Sequence, residues 1–248
     1  MEKTPGPKPR TNVFGFFDET GVLHTPTTDK VFALGLLVCQ QPRELHRSIV
    51  AYKNSQRYFK EFKFTDIRDN NLGLYRGFID LVFGGTNNRF ISIVYDKQLL
   101  NMSDYNHDHE RAYSMLAAQV ISHALGIGRT AETEYIAILA DDISTSKSDR
   151  FEKIVKDKVH QKLRRNAVFG IARLESHAIS EIQLCDVLVG TVAYAFKVKY
   201  GVVKGEGAKL GIVKHLQKRL GLGRLSQTFQ KRLKGGIYFS VEEYDNKK

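Results

Sequence analysis

Two pairs of adjacent carboxylates each follow an apolar stretch that is predicted to be a buried strand. The pairs are Asp18 with Glu19, after residues 14–17, and Asp141 with Asp142, after residues 134–140. Asp and Glu are poor strand residues and are rarely buried without a partner, so each pair needs an explanation. One explanation is a plain turn, since a glycine closely follows the first pair. The other is a metal or acid/base site that collects carboxylates from distant parts of the chain.

A further carboxylate, Asp186, lies in a predicted helix that is apolar almost all round. A helical wheel puts Asp186 on the same face as Ile182, Val189, Gly190 and Ala193. An ionised Asp in such a place is costly unless it is paired or bound to a cation. Asp186 is therefore either a buried acid that is hydrogen-bonded to the backbone or to an Arg, or a metal ligand.

Glu61 is another candidate, because it lies on the polar face of a segment that alternates between apolar and polar residues. Residues 58–64 are predicted to form a half-buried strand, with Glu61 beside Lys63. Hard oxygen ligands of this kind suit Mg²⁺ or Mn²⁺. Carboxylates gathered in one pocket would repel one another, so their convergence would itself require a cation. Two such ions can hold the attacking and leaving oxygens of a phosphodiester in an in-line displacement.

The chain is basic, and most of the excess positive charge lies after residue 196. Its 248 residues carry 38 Lys and Arg against 27 Asp and Glu, a formal charge of +11. This positive charge either keeps the protein soluble or binds a polyanionic partner. Its uneven distribution along the chain favours binding of nucleic acid. We expect Lys63, Lys204, Lys209 and Lys214 to contact the nucleic acid.

Neither a membrane span nor a disulfide framework is expected. The chain lacks a run of about 18 apolar residues, the length that a transmembrane helix needs. Its two cysteines, Cys39 and Cys185, lie inside apolar runs, which is typical of buried thiols in a reducing compartment. The first residues lack the apolar segment of a signal peptide. The sequence therefore predicts a cytoplasmic protein.

The apolar periodicity predicts an α/β domain in which strands and helices alternate after an initial hairpin. Strands are predicted at residues 14–17, 31–39, 58–64, 89–95, 134–140 and 167–174, and helices at 43–56, 71–84, 103–125, 149–163, 180–200 and 212–220. An apolar piece at 236–240 is predicted to be a late edge strand. This order implies a mixed sheet with an antiparallel start and helices on both faces.

Composition divides the chain into three parts. Residues 1–12 hold three prolines and are predicted to be a flexible tail. Residues 13–200 carry the predicted core elements and form the main domain. Residues 201–248 are rich in Gly and Lys and are predicted to be a basic extension that packs on that domain.

Four short stretches, taken in order, resemble a prokaryotic family known as domain of unknown function 3800. Residues 18–21, Asp-Glu-Thr-Gly, resemble its Asp-Glu-Ser-Gly signature, and residues 61–63 resemble its Glu-x-Lys element. The strand ending in Ala-Asp-Asp at 140–142 and the helix at 182–190 resemble its other two motifs. Thr20 stands where the family has Ser and Cys185 where it has Ala, and neither change touches the acidic residues.

The resemblance implies a ribonuclease H-like fold and a metal-dependent site of the nuclease type. The implied metal ligands are Asp18, Asp141 and Asp186, and the implied supporting residues are Glu19 and Glu61. Strand alternation puts Asp141 and Asp142 on opposite faces, and Asp141 is preferred only because it matches the family's first acidic position.

Three functional hypotheses remain open at this point. The first is an enzyme that hydrolyses phosphodiester bonds in DNA or RNA with Mg²⁺ or Mn²⁺. The second is a non-catalytic module of the same fold that binds nucleic acid or a protein, and the third is a nucleotide phosphohydrolase with a closed pocket. Tight convergence of the carboxylates favours the enzyme, whereas carboxylates satisfied by Arg, Lys or backbone amides favour the binding module.

The histidines give weaker candidates. His107 and His109 are two residues apart, so on a helix they point away from each other and are predicted to be polar residues at a helix start. His177 lies between a strand and the helix that carries Asp186. It is either a proton relay or, as is usual for a loop His, simply exposed.

Overall fold

Seven strands form one mixed sheet in the computed structural model of the chain. The structure describes residues 11–23, 29–126, 134–142 and 150–244. Within them the strands are β1 (Thr11–Thr20), β2 (Val31–Cys39), β3 (Arg89–Asp96), β4 (Glu134–Asp141), β5 (Val168–Leu174), β6 (Phe229–Arg232) and β7 (Tyr238–Tyr244). Every residue of β2 is buried, which is why its sequence is a continuous apolar run without alternation.

The order of the strands is β5-β4-β1-β2-β3-β7-β6. β2 is antiparallel to both of its neighbours, β1 and β3, whereas β4 is parallel to β1 and β5 is parallel to β4. This arrangement of the first five strands is the ribonuclease H-like one, and it confirms the predicted mixed sheet with an antiparallel start. β7 adds to β3 in parallel, and β6 closes that edge antiparallel to β7.

Helices cover both faces of the sheet, as predicted. They are α1 (Pro42–Ser55), α2 (Leu72–Gly84), α3 (His109–Gly126), α4 (Arg150–Leu163), α5 (Ser180–Lys199) and α6 (Gly207–Leu220). One core surrounds α5 and takes in α1, α2 and α6, and the other lies beneath α3 and α4. α5 packs on β1 and β2 near the centre of the sheet and is covered by other helices, which explains why it is apolar almost all round.

The predicted strand at residues 58–64 is wrong. This segment is an extended loop that pairs with none of the described strands, and it ends in a short 3₁₀ helix (Phe64–Asp66). The alternation is nevertheless real, because Phe62 and Phe64 are buried while Lys63 is exposed. Alternation reports the burial of every second side chain, and an extended loop can share that property with a strand.

Residues 201–244 belong to the same sheet and core as the rest of the chain. α6 packs against α5 and α2, and the side chains of Ile212, Leu216 and Phe239 are buried. The prediction of an edge strand at 236–240 is wrong, because β7 lies inside the sheet between β3 and β6. β1 already begins at Thr11, so the last two residues of the predicted tail are strand, and residues 1–10 lie outside the described part.

α3 begins later than the sequence predicts. A separate 3₁₀ turn (Met102–Tyr105) comes first, and Asn106 and His107 then adopt left-handed backbone conformations with φ of 59° and 56°. Asp108 caps α3 by accepting bonds of 3.0 Å from two amides of its first turn. The polar residues around position 108 are therefore at a helix start, as expected.

Two predictions from composition can be compared with the structure. Both cysteines, Cys39 and Cys185, are buried free thiols, as predicted. No helix among the described residues has the length and apolar character needed to cross a membrane.

Candidate functional site

Asp18 and Asp141 lie side by side at the carboxyl ends of two neighbouring parallel strands. β1 and β4 run in register up to Phe17 and Ala140, and the two aspartates come directly after that pair. Residues in register on parallel strands point to the same face, and the strands are about 4.8 Å apart. By strand alternation both aspartates are on the α5 face, whereas Asp142 is exposed.

Asp186 reaches these aspartates because α5 packs very close to the sheet. Gly35 of β2 is the register partner of Asp18, and a Cβ on Gly35 would lie 2.8 Å from the Cβ of Val189. A glycine at this position leaves room for the helix. The negative charge of Asp186 therefore acts on Asp18, and that of Asp141 acts on both.

Side chains of α2 and α5 hold the loop that carries Glu61. The Phe62 amide donates to Gln183 Oε1 over 3.2 Å. The Tyr75 hydroxyl accepts from the Lys63 amide over 3.3 Å and donates to the Lys63 carbonyl over 3.0 Å. These bonds satisfy backbone groups that a neighbouring strand would otherwise satisfy, so the loop stays extended outside the sheet.

Phe64 ties the same loop to Asp186. Its amide donates to Asp186 Oδ2 over 2.8 Å, and its ring packs on Gly190, where a Cβ would lie 2.3 Å from the ring. Asp186 and Gly190 are one helical turn apart, so Phe64 contacts two successive turns of α5. This contact directs the Asp186 carboxylate towards the loop.

Ser176 links Glu61 to Asp141. The Ser176 hydroxyl donates to Glu61 Oε1 over 2.8 Å, and its amide donates to Asp141 Oδ1 over 3.0 Å. The other carboxylate oxygen of Glu61 lies 3.2 Å from Lys63 Nζ. Burial raises the pKa of Asp141, and the hydrogen bonds from Ser176 oppose that shift. The loop, the end of β4 and the turn before α5 thus meet at one point.

Glu19 lies on the opposite face of the sheet from Asp18, beneath α3. The Tyr113 hydroxyl donates to Glu19 Oε2 over 2.7 Å. The Tyr113 ring packs edge-on against Phe17 with centroids 6.5 Å apart, so the core positions the hydroxyl. At this end of the sheet, the Glu19 carboxylate therefore lies on the α3 face, and the aspartate carboxylates lie on the α5 face.

The carboxylates raise one another's pKa. Burial raises the pKa of Asp18 well above its usual range, and the negative charges of Glu19, Asp186 and Asp141 raise it further. The Glu19 amide, which donates to Asp18 Oδ1 over 2.7 Å, opposes the shift. Four acidic groups therefore share one poorly hydrated region.

Two of these carboxyl groups have pKa values near neutral pH. Burial raises the pKa of Glu19 to about 7, and the hydrogen bond from Tyr113 opposes the shift. Burial also raises the pKa of Asp186 to about 6, where the amide of Phe64 and the charge of Lys63 oppose it. Clustered groups with shifted pKa values are typical of functional sites, although structural networks produce them too.

The donor set of this cluster fits a hard divalent cation, since carboxylate oxygens are the ligands that Mg²⁺ and Mn²⁺ prefer. In their present orientations, however, these side chains do not form a metal-binding site. Within the described ranges, no three His, Cys, Asp or Glu side chains are grouped so as to hold a metal ion. Asp18, Asp141 and Asp186 each direct one oxygen at a backbone amide. Metal binding would therefore require these side chains to reorient.

Two of the four lysines predicted to bind nucleic acid lie at this site. Lys63 pairs with the loop glutamate, as described above, and is half exposed. Lys209 of α6 places its Nζ 5.1 Å from the centroid of the Phe64 ring. Burial lowers the pKa of Lys209, and the positive charges of Arg68 and Lys197 lower it further. A group of basic side chains thus adjoins the loop that holds Asp186.

The other two predicted lysines have no contact with the cluster in the part of the chain that is described. Lys204 is exposed in the turn before α6, where its carbonyl accepts a 3.0 Å bond from the Tyr194 hydroxyl. Lys214 is exposed further along α6. Part of the C-terminal charge is also neutralised, as in the 2.6 Å ion pair between Lys199 and Glu243.

Four uncharged side chains of the site have no role in the sequence-based prediction. They are Tyr75, Tyr113, Ser176 and Gln183. Gln183 lies within the stretch that resembles the family helix, and that is the one signal that could have pointed to it. Hydroxyl and amide side chains are frequent in any sequence, and their partners here are distant along the chain. His177 is exposed and lies 3.3 Å from Glu175, as is usual for a loop His.

The fold and the site define a class of protein, a ribonuclease H-like domain with an acidic cluster at the carboxyl ends of its central parallel strands. The chain matches no model of a known protein family and no curated protein. The resemblance to the domain of unknown function 3800 family therefore stays a prediction.

Proposed function

We propose that the protein is a divalent-metal-dependent nuclease that hydrolyses phosphodiester bonds in nucleic acid. The observation that carries this proposal is the convergence of four acidic side chains, from two strands and one helix, at the carboxyl ends of β1 and β4. They are Asp18, Glu19, Asp141 and Asp186. Carboxylates that repel one another in a poorly hydrated region destabilise the folded protein. A requirement to bind a cation explains why they are nevertheless gathered there.

The aspartates and the glutamates would have different roles, because they occupy different positions in the site. Asp18, Asp141 and Asp186 would hold Mg²⁺ or Mn²⁺, because they converge on the α5 face with hard oxygen donors. Glu61 and Glu19 would support them from the loop and from the α3 side. A bound ion would supply Lewis-acid stabilisation for the negative charge that develops on the phosphate.

Glu19 is the residue best suited to exchange a proton with an attacking water. Its pKa of about 7 lies near neutral pH, where a general base is most effective. The hydrogen bond from Tyr113 keeps the carboxylate in one place. Glu61, which is held by Ser176 and Lys63, would help to orient the same water.

Lys63 and Lys209 would hold the phosphate backbone beside the cluster. The side chain of Lys63 is 50% exposed, so it can reach a ligand while remaining next to Glu61. Lys209 lies over the ring of the next residue, Phe64. Contacts to phosphate carry no base identity, so they accord with binding of DNA or RNA with an affinity that falls as salt rises.

A second candidate function rests on how the carboxylates are satisfied. The three aspartates accept bonds from backbone amides, and Glu61 pairs with Lys63. This pattern favours a module that binds nucleic acid or a protein and whose acidic cluster is structural. We rank the enzyme first because, among the described residues, only one oxygen of Asp18 and one of Asp186 accept hydrogen bonds. A carboxylate offers two oxygens and about four acceptor sites.

The proposal extends to the cellular setting and the family. The two buried free thiols support a reducing compartment, and we place the protein in the cytoplasm. The four stretches that resemble the prokaryotic family support a relationship with it. Neither statement is needed for the proposed chemistry.

A nuclease assay tests the proposed activity. The protein is incubated with labelled single- and double-stranded DNA and RNA in the presence of Mg²⁺, Mn²⁺ or a chelator. We expect metal-dependent cleavage that falls by roughly 100-fold or more in Asp18→Asn and in Asp186→Asn, because each loses a charged ligand. Asp142→Asn is the matched control, since Asp142 adjoins the same strand end but is exposed.

The outcomes separate the two candidate functions. Cleavage that needs metal, is lost in both variants and survives in the control supports the enzyme and identifies its substrate class. Absence of cleavage, or equal cleavage by the wild type and both variants, refutes the nuclease. Retained binding of the same oligonucleotides by Asp18→Asn would then support the binding module.

A further inference from the structure

A polar groove lies on the α3 face of the sheet, near the β6–β7 edge. Its larger cavity has a volume of about 550 Å³ between α3, the end of α4 and the strands β6 and β7. The lining residues that matter here are Gln119, Ser122, His123, Lys162, Gln230 and Arg232. A second cavity of about 350 Å³ between α3 and α4 shares Gln119, Ser122 and Lys162 as lining residues, so the two cavities adjoin each other.

The groove is distinct from the carboxylate cluster. Tyr113, which bonds to Glu19, lies in the first turns of α3, and His123 lies near its end. Ten residues of helix span roughly 15 Å. The larger cavity therefore lies apart from the carboxylate cluster.

Positive charge in the groove exceeds negative charge. Lys162 and Arg232 line the larger cavity and Lys158 lines the smaller one. The carboxylate that lines the larger cavity, Glu242, lies 3.4 Å from His123 Nδ1. Lys162 and Arg232 form no ion pair with any described residue, so both charges are available to a ligand.

Two features suggest that the groove is built to receive polar groups. Ser122 is 3% exposed and lines both cavities, yet its hydroxyl has no hydrogen-bond partner among the described residues. A buried hydroxyl without a partner is costly, and a ligand in the adjoining cavity would satisfy it. The Arg232 guanidinium lies 5.4 Å from the centroid of the Tyr238 ring, which holds its planar set of donors in place.

We propose that this groove binds a phosphorylated small molecule of about nucleotide size. The positive charges of Lys162 and Arg232 match a phosphate group, and the arginine fork suits two phosphate oxygens at once. The Ser122 hydroxyl and the amides of Gln119 and Gln230 supply bonds to the rest of the molecule. The cavity volume falls within the roughly 300–1,000 Å³ of small-molecule sites. A nucleic-acid backbone presents the same phosphate chemistry, and the experiment separates the two sources.

Isothermal titration calorimetry on the full chain tests this site. The probes are AMP, inorganic phosphate, adenosine and a short single-stranded DNA, all with a chelator so that no metal at the carboxylate cluster contributes. We expect the wild type to bind AMP and, more weakly, inorganic phosphate, but not adenosine. The double variant Lys162→Gln, Arg232→Gln is expected to weaken AMP binding about tenfold or more. Ser122→Ala is expected to weaken it less.

Lys153→Gln is the matched control and should bind AMP as the wild type does. Lys153 is exposed on α4, and it precedes Lys162 by nine positions, which is about two and a half turns, so it points to the opposite side. Circular dichroism melts show that each variant is folded. Equal AMP affinity in the wild type and the double variant overturns the proposal, as does absence of AMP binding by the wild type. DNA binding that depends on Lys162 and Arg232 without AMP binding also overturns it, and assigns the groove to a nucleic-acid backbone.

Discussion

Glu19 depends on Tyr113 for the position of its carboxylate, although the two residues belong to different layers of the molecule. Tyr113 lies on α3 and donates a 2.7 Å hydrogen bond to Glu19 near the end of β1. A bond to the ionised form favours that form, so it lowers a pKa that burial raises to about 7. One hydroxyl thus helps to keep Glu19 ionised at neutral pH.

We expect Tyr113→Phe to move the acidic limb of the nuclease pH profile upwards by about one pH unit. Phenylalanine can keep the edge-on contact with Phe17 but lacks the hydroxyl, so Glu19 binds its proton more tightly. The activity of the variant should therefore be below that of the wild type at pH 7 and recover above about pH 8. The measurement is kcat/KM with Mg²⁺ across this range.

Tyr238→Phe is the control for this prediction. Its hydroxyl is also buried on the α3 side of the sheet, but it makes no hydrogen bond to the described part of the chain. Its removal should leave the profile unchanged. The same unchanged profile in Tyr113→Phe would show that ionisation of Glu19 does not limit the reaction.

At the scale of elements, α5 connects the core to the site. Two glycines allow this, because Gly35 lets α5 approach β2 and Gly190 lets the Phe64 ring pack on α5. The amide of Phe64 then reaches Asp186. A loop outside the sheet is thereby held by side chains instead of by a neighbouring strand.

We expect Gly190→Ala to lower the free energy of unfolding by about 1–3 kcal/mol, as overpacking does in a close-packed interior. The new Cβ would lie 2.3 Å from Phe64 Cγ, so the ring must move, and we expect this shift to weaken the bond from the Phe64 amide to Asp186. Urea denaturation measures the stability, and hydrogen exchange of the Phe64 amide measures the local opening.

Gly73→Ala gives the comparison for the same substitution in open space. A Cβ at Gly73 has nothing within 4 Å, so alanine should stabilise α2 by roughly 0.5–1 kcal/mol. Opposite signs for the two variants are therefore expected. A Gly190→Ala protein that is as stable as the wild type and exchanges its Phe64 amide no faster would contradict the packing argument.

At the scale of the whole molecule, one sheet carries both proposed sites. The carboxylate cluster lies where the central strands β1 and β4 end, and the polar groove lies beside β7 and the edge strand β6. Those two strands come from the C-terminal region and pair with β3, so this region completes the sheet and adds a lined cavity to it.

The acidic cluster should make the whole protein less stable as pH rises. The pKa of Glu19 is raised from 4.5 to about 7, and that of Asp186 from 3.8 to about 6. Between these values the folded state binds more protons than the unfolded state, so the stability present below about pH 4 is lost as pH rises towards 7. Thermal melts in a chelator measure this fall.

Added Mg²⁺ should reverse the loss at neutral pH. A cation at about 100 times its Kd adds roughly 2.7 kcal/mol, which corresponds to a Tm increase of about 5–10 °C for a chain of this size. Asp18→Asn combined with Asp186→Asn should show a weaker fall with pH and little response to Mg²⁺. A wild-type Tm that ignores Mg²⁺ at neutral pH would contradict a metal role for the cluster.

Several features of the site were predictable because they depend on local pattern. Apolar runs indicate the strands, and the carboxylates that follow them can be recognised from the local sequence alone. Burial of Phe62 and Phe64 follows from alternation, although the segment is a loop and not a strand. The bonds made by the supporting residues Ser176 and Gln183 were not predictable, because they join segments more than 100 residues apart.

The sequence by itself determined which residues are apolar, which strands end in acids and that Asp141 and Asp142 point to opposite faces. The tertiary structure decided that β4 lies next to β1, that Asp141 is the one that shares the α5 face with Asp18, and that Asp186 meets them there. The physical reason is that local periodicity sets the orientation of a side chain relative to its own element. Its neighbours in space depend on the pairing of strands and the packing of helices, which are set by the whole chain.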